Sequence, residues 1–307
     1  MGDTYPIFVI NLERHTARRE FMRLQLDALG LSPIWIKGVD GKREADMKAA
    51  ANAFYAPLSP GEVGCFESHR TVWKRIVEMD VPGAYVLEDD VVVSQDYGRL
   101  DLPAARLAGI DVLKLDYHPR DTLCGVAGVA IGEGKTMRRA LGRENSTGSY
   151  FVSRAGAEKL LRLSEAFHWP VDLFMFNEVS VAFFALRTWK CIPGLATQTK
   201  FVTRGGSEDT EFADTIQDAR RKAAAPPRRI GPFRRACLRL RLLLEWNFPA
   251  ARRRRYAAFL KAFETSERTA LTPSRWELTR RDHLAAAFAH MKLEHAEPVR
   301  IPNAPAS

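Results

Sequence analysis

Residues 84–93 read Ala-Tyr-Val-Leu-Glu-Asp-Asp-Val-Val-Val, and this stretch constrains the fold more than any other. Its apolar halves favour burial, yet an unpaired carboxylate taken out of water costs several kcal/mol. Glu88, Asp89 and Asp90 therefore need a cation, hydrogen-bond donors or an exit to solvent. As a strand with a period of two, the run sends Glu88 and Asp90 to one side and Asp89 to the other. It thus presents an acid pair at the carboxyl end of a strand, where open α/β sheets bind their ligands. A hard divalent ion that bridges phosphates needs only one or two such carboxylates. An exposed acidic turn is the plainer alternative.

The flanking sequence supplies such a sheet. Ile7–Ile10 is a compact buried-strand signal, and Ile34-Trp35-Ile36 is a second, closed by the turn-like Asp40-Gly41. Between them, Thr16–Leu29 repeats apolar residues at helical spacing: Phe21, Leu24 or Gln25, Ala28 or Leu29. Ser59-Pro60-Gly61-Glu62 marks a helix start, with Ser59 as cap, Pro60 at the first helical position and Glu62 completing a capping box. Val63, Phe66, Trp73, Ile76 and Val77 then share one face, with His69 beside it. Further strands are expected at Val112–Leu115 and Tyr150–Val152, the latter running into a helix capped by Ser153. This alternation predicts an α/β fold with a mainly parallel sheet covered by helices. We expect one α/β unit over 1–205, a linker over 206–229 around Ala223-Ala224-Ala225-Pro226-Pro227, and a basic, mostly helical region over 230–307.

The net charge of +9 is concentrated in that last part. Asp218–Tyr256 holds thirteen Lys/Arg against two acids, which leaves the remainder slightly acidic. A nucleic-acid enzyme more often carries its positive charge along the reacting site, so the patch reads as an address or a dock. Cys65, Cys124, Cys191 and Cys237 lie far apart, with no C-x-x-C pair and no zinc-spaced histidine, and read as thiols in a reducing compartment. Ile7–Ile10 is too short for a signal-peptide core, and no apolar run approaches the roughly 20 residues of a spanning helix. A cytoplasmic protein is expected.

Five blocks follow one another in the first two thirds of the chain. They are Ile10-Asn11-Leu12-Glu13-Arg14 with Arg18-Arg19, Val39-Asp40-Gly41-Lys42, Leu58 to Cys65 with Ser68-His69, Leu87-Glu88-Asp89-Asp90-Val91, and Gly148-Ser149-Tyr150 with Ser153 and Ala157. In that order they resemble the lipooligosaccharide glycosyltransferase family that also includes the collagen galactosyltransferases, glycosyltransferase family 25. The resemblance implies a GT-A-like fold, a UDP-sugar donor that is often UDP-galactose, a Mn²⁺ or Mg²⁺ ion, inversion at the anomeric carbon and an LPS-type glycan acceptor. Carried onto this sequence, it makes Asp90 the first metal contact and Glu88 the second, with Glu88 and Asp89 also near water ligands, ribose or amides. Such an ion would neutralise charge building on the departing UDP.

The same resemblance places Asn11, Arg14 and Arg18 near the nucleotide, His69 against donor or acceptor, and Gln198 in a late block after Pro193. An inverting transfer needs a base for the acceptor hydroxyl. Asp172, in Pro170-Val171-Asp172, is the first choice and Glu178 the reserve. Plainer roles stay open: Asp172 as a helix N-cap, Arg14 and Arg18 on a solvated helix face, His69 as a packing residue.

Arg228–Arg255 interleaves Phe233, Leu238, Leu242, Trp246 and Phe248 with arginines and matches no block. It reads as an amphipathic anchor on the inner leaflet, at about 1 kcal/mol per basic residue near the surface. It reads equally as a dock for an anionic, lipid-linked acceptor, or as a helical layer with a solvated arginine face. Two rival functions stand beside the transferase: a non-catalytic nucleic-acid-binding or interaction module using this segment, and a metal-dependent phosphohydrolase or nucleotidyltransferase. The slightly acidic remainder argues against a nucleic-acid partner.

Overall fold

The computed structural model describes residues 5–43, 58–103, 107–165, 167, 169–201, 249–263, 266–269 and 284–291. Strand β1 (Ile7–Asn11) leads through helix α1 (Thr16–Ala28) to β2 (Pro33–Lys37), and helix α2 (Pro60–Glu78) leads to β3 (Gly83–Glu88) and the short β4 (Val91–Val93). Then come β5 (Val112–Lys114), β6 (Asp116–Tyr117), β7 (Thr122–Ala130), β8 (Thr136–Ala140) and β9 (Ser149–Ser153). Helices α3 (Arg154–Leu163), α4 (Val171–Phe176) and α5 (Val181–Ala185) precede β10 (Thr188–Ile192) and β11 (Ala196–Gln198). The described C-terminal elements are α6 (Pro249–Lys261), β12 (Ser266–Thr269) and α7 (Ala285–His290).

One nine-stranded sheet runs β12-β7-β8-β10-β5-β9-β3-β1-β2, and a three-stranded sheet runs β4-β11-β6. The parallel pairing predicted by the α/β alternation holds across β2-β1-β3 and between β10 and β5. The sheet as a whole is mixed, because β9 is inserted antiparallel between β3 and β5 and a β7–β8 hairpin continues it.

Both faces of the sheet are covered around β1 and β3, which is why β1 reads as an unbroken apolar run rather than an alternation. Val9, Tyr85 and Leu87 join Phe21, Met22 and Leu26 of α1 on one side. Phe8, Ala84 and Val86 join Phe66, Val72 and Trp73 of α2 on the other. On α1, Gln25 rather than Leu24 is the fully buried residue. Its amide donates to Val91 O at 3.1 Å and accepts from Val93 N at 3.0 Å, so this side chain completes the free edge of β4 and fastens the small sheet to the helix.

Helix α2 begins as its sequence dictates. Ser59 Oγ accepts from Glu62 N at 3.3 Å, and Glu62 Oε2 accepts from Ser59 N at 2.7 Å. Ser153 caps α3 through Gly156 N at 3.0 Å. The Val39–Gly41 turn presses on the first turns of α2 so closely that a Cβ on Gly64 would meet Val39 O at 2.4 Å and Gly41 N at 2.8 Å.

The described part of 230–307 is two helices and one strand. Phe259 of α6 packs its ring 5.4 Å from Phe183 and 5.5 Å from Phe184, while Tyr256 OH donates to Leu141 O at 2.8 Å. Strand β12 pairs antiparallel with β7, and Leu284 and Ala287 enter the core beside α1. The expected linker and the basic stretch as far as residue 248 lie outside the described residues. Among the described residues no helix is long and apolar enough to cross a membrane.

Gly64→Ala should destabilise the chain by about 1–3 kcal/mol, because backbone rather than a flexible side chain blocks the new methyl. A lower denaturant midpoint with an unchanged m-value would show it.

Candidate active site

A cavity of about 680 Å³ is lined by residues from the carboxyl ends of β1, β2 and β3 and by α2 and α4. The pleat of β3 explains what enters it. Tyr85 and Leu87 face α1, and the next residue in that register is Asp89; Ala84 and Val86 face α2, and the next is Glu88.

Asp89 accordingly meets α1. Its carboxylate accepts from Asn11 Nδ2 at 2.8 Å and from Arg18 Nη1 at 3.1 Å, with His15 Nδ1 3.9 Å away. Burial works the other way, but His15, Arg18 and Asn11 together hold this carboxyl below the usual carboxylate range. Arg14 is paired with Asp40, across the mouth of the β1–α1 loop. Arg14 and Arg18 thus line the cavity with their charges engaged by carboxylates, and Asn11, buried, acts on it through Asp89.

Glu88 meets α2. Its Oε1 lies 3.2 Å from His69 Nε2 and accepts from Thr147 Oγ1 at 2.6 Å. His69 Nδ1 lies 2.9 Å from Tyr150 OH, which accepts from Trp73 Nε1 at 3.0 Å. A hydroxyl that accepts from the indole and has one proton to give donates it to Nδ1, so the network assigns the imidazole proton to Nε2, facing Glu88. His69 is fully buried and does not line the cavity itself. Although burial opposes it, His69 and Thr147 hold Glu88 below the usual carboxylate range.

Asp90 has no such support. Among the described residues its carboxylate meets one hydrogen-bond donor, the amide of Gln198 at 3.4 and 3.5 Å, while Thr199 N donates to its carbonyl at 2.8 Å. Burial, with Glu88 and Asp89 adding, pushes its carboxyl up to about 7. Gln198 Oε1 is buried without a hydrogen-bond partner beside it. Asp172, in the first turn of α4 behind an N-cap at Pro170, lines the same cavity; its Oδ1 accepts from Leu173 N at 2.9 Å and its Oδ2 from Ser146 N at 3.4 Å. Glu178 stands apart, on the wall of an adjoining cavity of about 270 Å³ that shares His118, Arg120, Arg143 and Asn145 with the first.

Several residues that shape the site were not singled out from the sequence. Lys114 and Asp116 are fully buried in the apolar run Val112–Leu115 and its continuation, with Lys114 Nζ 2.6 Å from Asp116 Oδ1 and 2.6 Å from Ser146 O. Burial pushes the Lys114 ammonium down and the Asp116 carboxyl up. Lys190, also buried, reaches Asp116 O at 2.7 Å and Glu144 Oε2 at 3.1 Å. These ions pin the segment Glu144–Gly148, in which Ser146 adopts φ +69° and Thr147 reaches Glu88. A non-glycine residue at positive φ persists only where its surroundings over-determine it. The readable signal was the one found in the acidic triplet: charged residues inside an apolar strand.

Two outcomes follow. Lys114→Met removes the cation paired directly with the buried Asp116 carboxylate and should cost about 3–5 kcal/mol, read by denaturant unfolding. Asp90, whose folded-state pKa lies above the unfolded value, binds its proton more tightly when folded. Its ionisation therefore weakens the fold progressively as pH rises from about 4 to about 7, and no further above that. In chelator, Asp90→Asn should raise the thermal midpoint above pH 7, with the gain vanishing near pH 4.

The sequence profile of glycosyltransferase family 25 (LPS biosynthesis protein) matches residues 4–175. A glycosyltransferase 25 family member of Anopheles gambiae is 33% identical over 245 residues, which cover 70% of this chain and 40% of that protein. The procollagen galactosyltransferase 2 of Homo sapiens is 34% identical over 247 residues, covering 69% of this chain and 38% of that protein. This chain thus spans about two fifths of the length of these relatives. Among solved structures, a glycosyltransferase involved in the glycosylation of the major capsid of PBCV-1 overlays 64% of this chain and 92% of its own at 11% identity, with a TM-score of 0.35. More than half of the sequence lies within the profile match, and the chain belongs to glycosyltransferase family 25.

Proposed function

We propose that the chain transfers a sugar, galactose in the first instance, from a UDP-sugar to a hydroxyl of an LPS-type glycan, with inversion at the anomeric carbon and on a GT-A-like fold. The observation that carries this reading is the buried acid group at the end of β3. It opens into a cavity that also holds Asp172 and the ammonium of Lys200. A divalent cation fits the residues present. Asp90 offers an oxygen with little hydrogen bonding, and Glu88 keeps Oε2 without a partner among the described residues. Gln198 adds an orphaned carbonyl oxygen beside them. This is an all-oxygen donor set of the kind that suits Mn²⁺ or Mg²⁺. Asp90, Glu88 and Gln198 would hold the ion, which when bound neutralises charge on the diphosphate leaving group.

The remaining roles belong to the chain itself. Asn11 and Arg18 fix Asp89 and so fix the turn that aims Asp90. His69 and Thr147 hold Glu88 ionised from behind. Lys200, whose charge acts on both Glu88 and Asp90, is placed to meet a phosphate. Asp172 takes the proton of the acceptor hydroxyl as its oxygen forms a bond to the anomeric carbon and the bond to the UDP oxygen breaks. The first-turn amide on Oδ1 orients that carboxylate and leaves it lone pairs to spare. In the cell, we place the chain in the cytoplasm, peripheral on the inner leaflet through Arg228–Arg255, where anionic lipid-linked acceptors are built.

Purified protein with Mn²⁺ should release UDP from one member of a UDP-sugar panel. Asp90→Ala should abolish that release. Asp172→Asn should lower kcat about 10²–10⁴-fold with little change in UDP affinity, as loss of a general base does. Absence of both UDP release and UDP binding across the panel would refute the proposal.

A further inference from the structure

Cys65 has no part in the transfer just described, yet it lies within the same cavity and one helical turn from His69. One donor atom from each of Cys65, His69 and Glu88 falls in a group whose members all lie within 4.8 Å of one another. Cys65 and Glu88 are part-exposed along the cavity wall, so an ion has a way in, while His69 backs them from the interior. We propose that Cys65, His69 and Glu88 form a binding site for a thiophilic divalent cation of the zinc type, which shares Glu88 with the all-oxygen position at Asp90 and differs from it in donor chemistry.

Three features favour this choice of ion. One thiolate, one imidazole and one carboxylate, with a fourth position left to water, is a donor set zinc accepts and Mg²⁺ does not seek. The i, i+4 spacing of Cys65 and His69 on α2, which the sequence alone did not mark as a metal spacing, puts both donors on one face, opposite the end of β3. The outer partners that metal ligands require are also in place. His69 Nδ1 is 2.9 Å from Tyr150 OH, Tyr150 is held by Trp73 at 3.0 Å, and Glu88 is held by Thr147 at 2.6 Å. On binding, Cys65 loses its thiol proton to solvent. The imidazole proton moves from Nε2 to Nδ1, where the Tyr150 oxygen accepts it as the hydroxyl rotates its own proton away from the ring, so one proton, that of the thiol, is released per ion.

Cobalt(II) reports such a site directly. Metal-stripped full-length protein titrated with Co²⁺ should develop a thiolate-to-cobalt charge-transfer band that saturates at one equivalent. Stoichiometric Zn²⁺ should bleach it and excess Mg²⁺ should not. Cys65→Ser should remove the band, and Tyr150→Phe, which keeps all three donors, should weaken Co²⁺ binding about 10–100-fold. If Cys65→Ser does not fold, the wild type still decides: Zn²⁺ should protect Cys65 from iodoacetamide, located by peptide mass spectrometry. The absence of a band, a band that survives in folded Cys65→Ser, or equal alkylation of Cys65 with and without Zn²⁺ would overturn the site. None of these readouts involves UDP or sugar transfer, so failure of this site and failure of the transferase reading are told apart although both use Glu88.

Discussion

Three adjacent carboxylates can leave a buried strand here because the pleat hands each to a different partner. Asp89 continues the α1 side and is met by Arg18 and Asn11; Glu88 continues the α2 side and is met by His69 and Thr147. Asp90, at the turn, is met by little more than an amide at 3.4 Å. The asymmetry is the chemistry. Two acids are held ionised by the fold, and their charge, with burial, disfavours ionisation of the third. A cation bound at Asp90 would relieve a conflict that the polypeptide has built and left standing.

The supporting layer follows the same logic one step further out. Lys114, Asp116, Lys190 and Glu144 are all buried, and a set of ions like this is rarely the cheapest way to fill space. Here it does what a methyl-lined core would not: Lys114 holds the carbonyl of Ser146, and the strained segment that follows delivers Thr147 to Glu88. Specific positioning of a loop is thereby bound up with charges far from solvent.

The helix starts at Ser59 and Ser153 were legible because caps are local and their donors and acceptors lie within three residues. The acid triplet was legible because burial and charge conflict within ten residues of sequence. The choice of Gln25 over Leu24 as the buried residue was not, since it depends on β4, 66 residues away in the chain, having edge groups to satisfy. The antiparallel insertion of β9 between β3 and β5 was equally hidden, because strand polarity is decided by connections and not by apolar pattern. At the site, resemblance gave the acids their metal role and brought in Asp172 and the block that holds Tyr150, while Lys114 emerged only as a partner in space.

Strand β12 pairs with Thr122–Gly125 of β7, just before the part of β7 that exposes Val126 and Val129. A chain cut back to its first two hundred residues would bare that edge, and unpaired amides next to exposed valines are a template for sticking to its own kind. The last part of the polypeptide therefore acts as a selvedge, keeping the woven sheet from fraying into its neighbours.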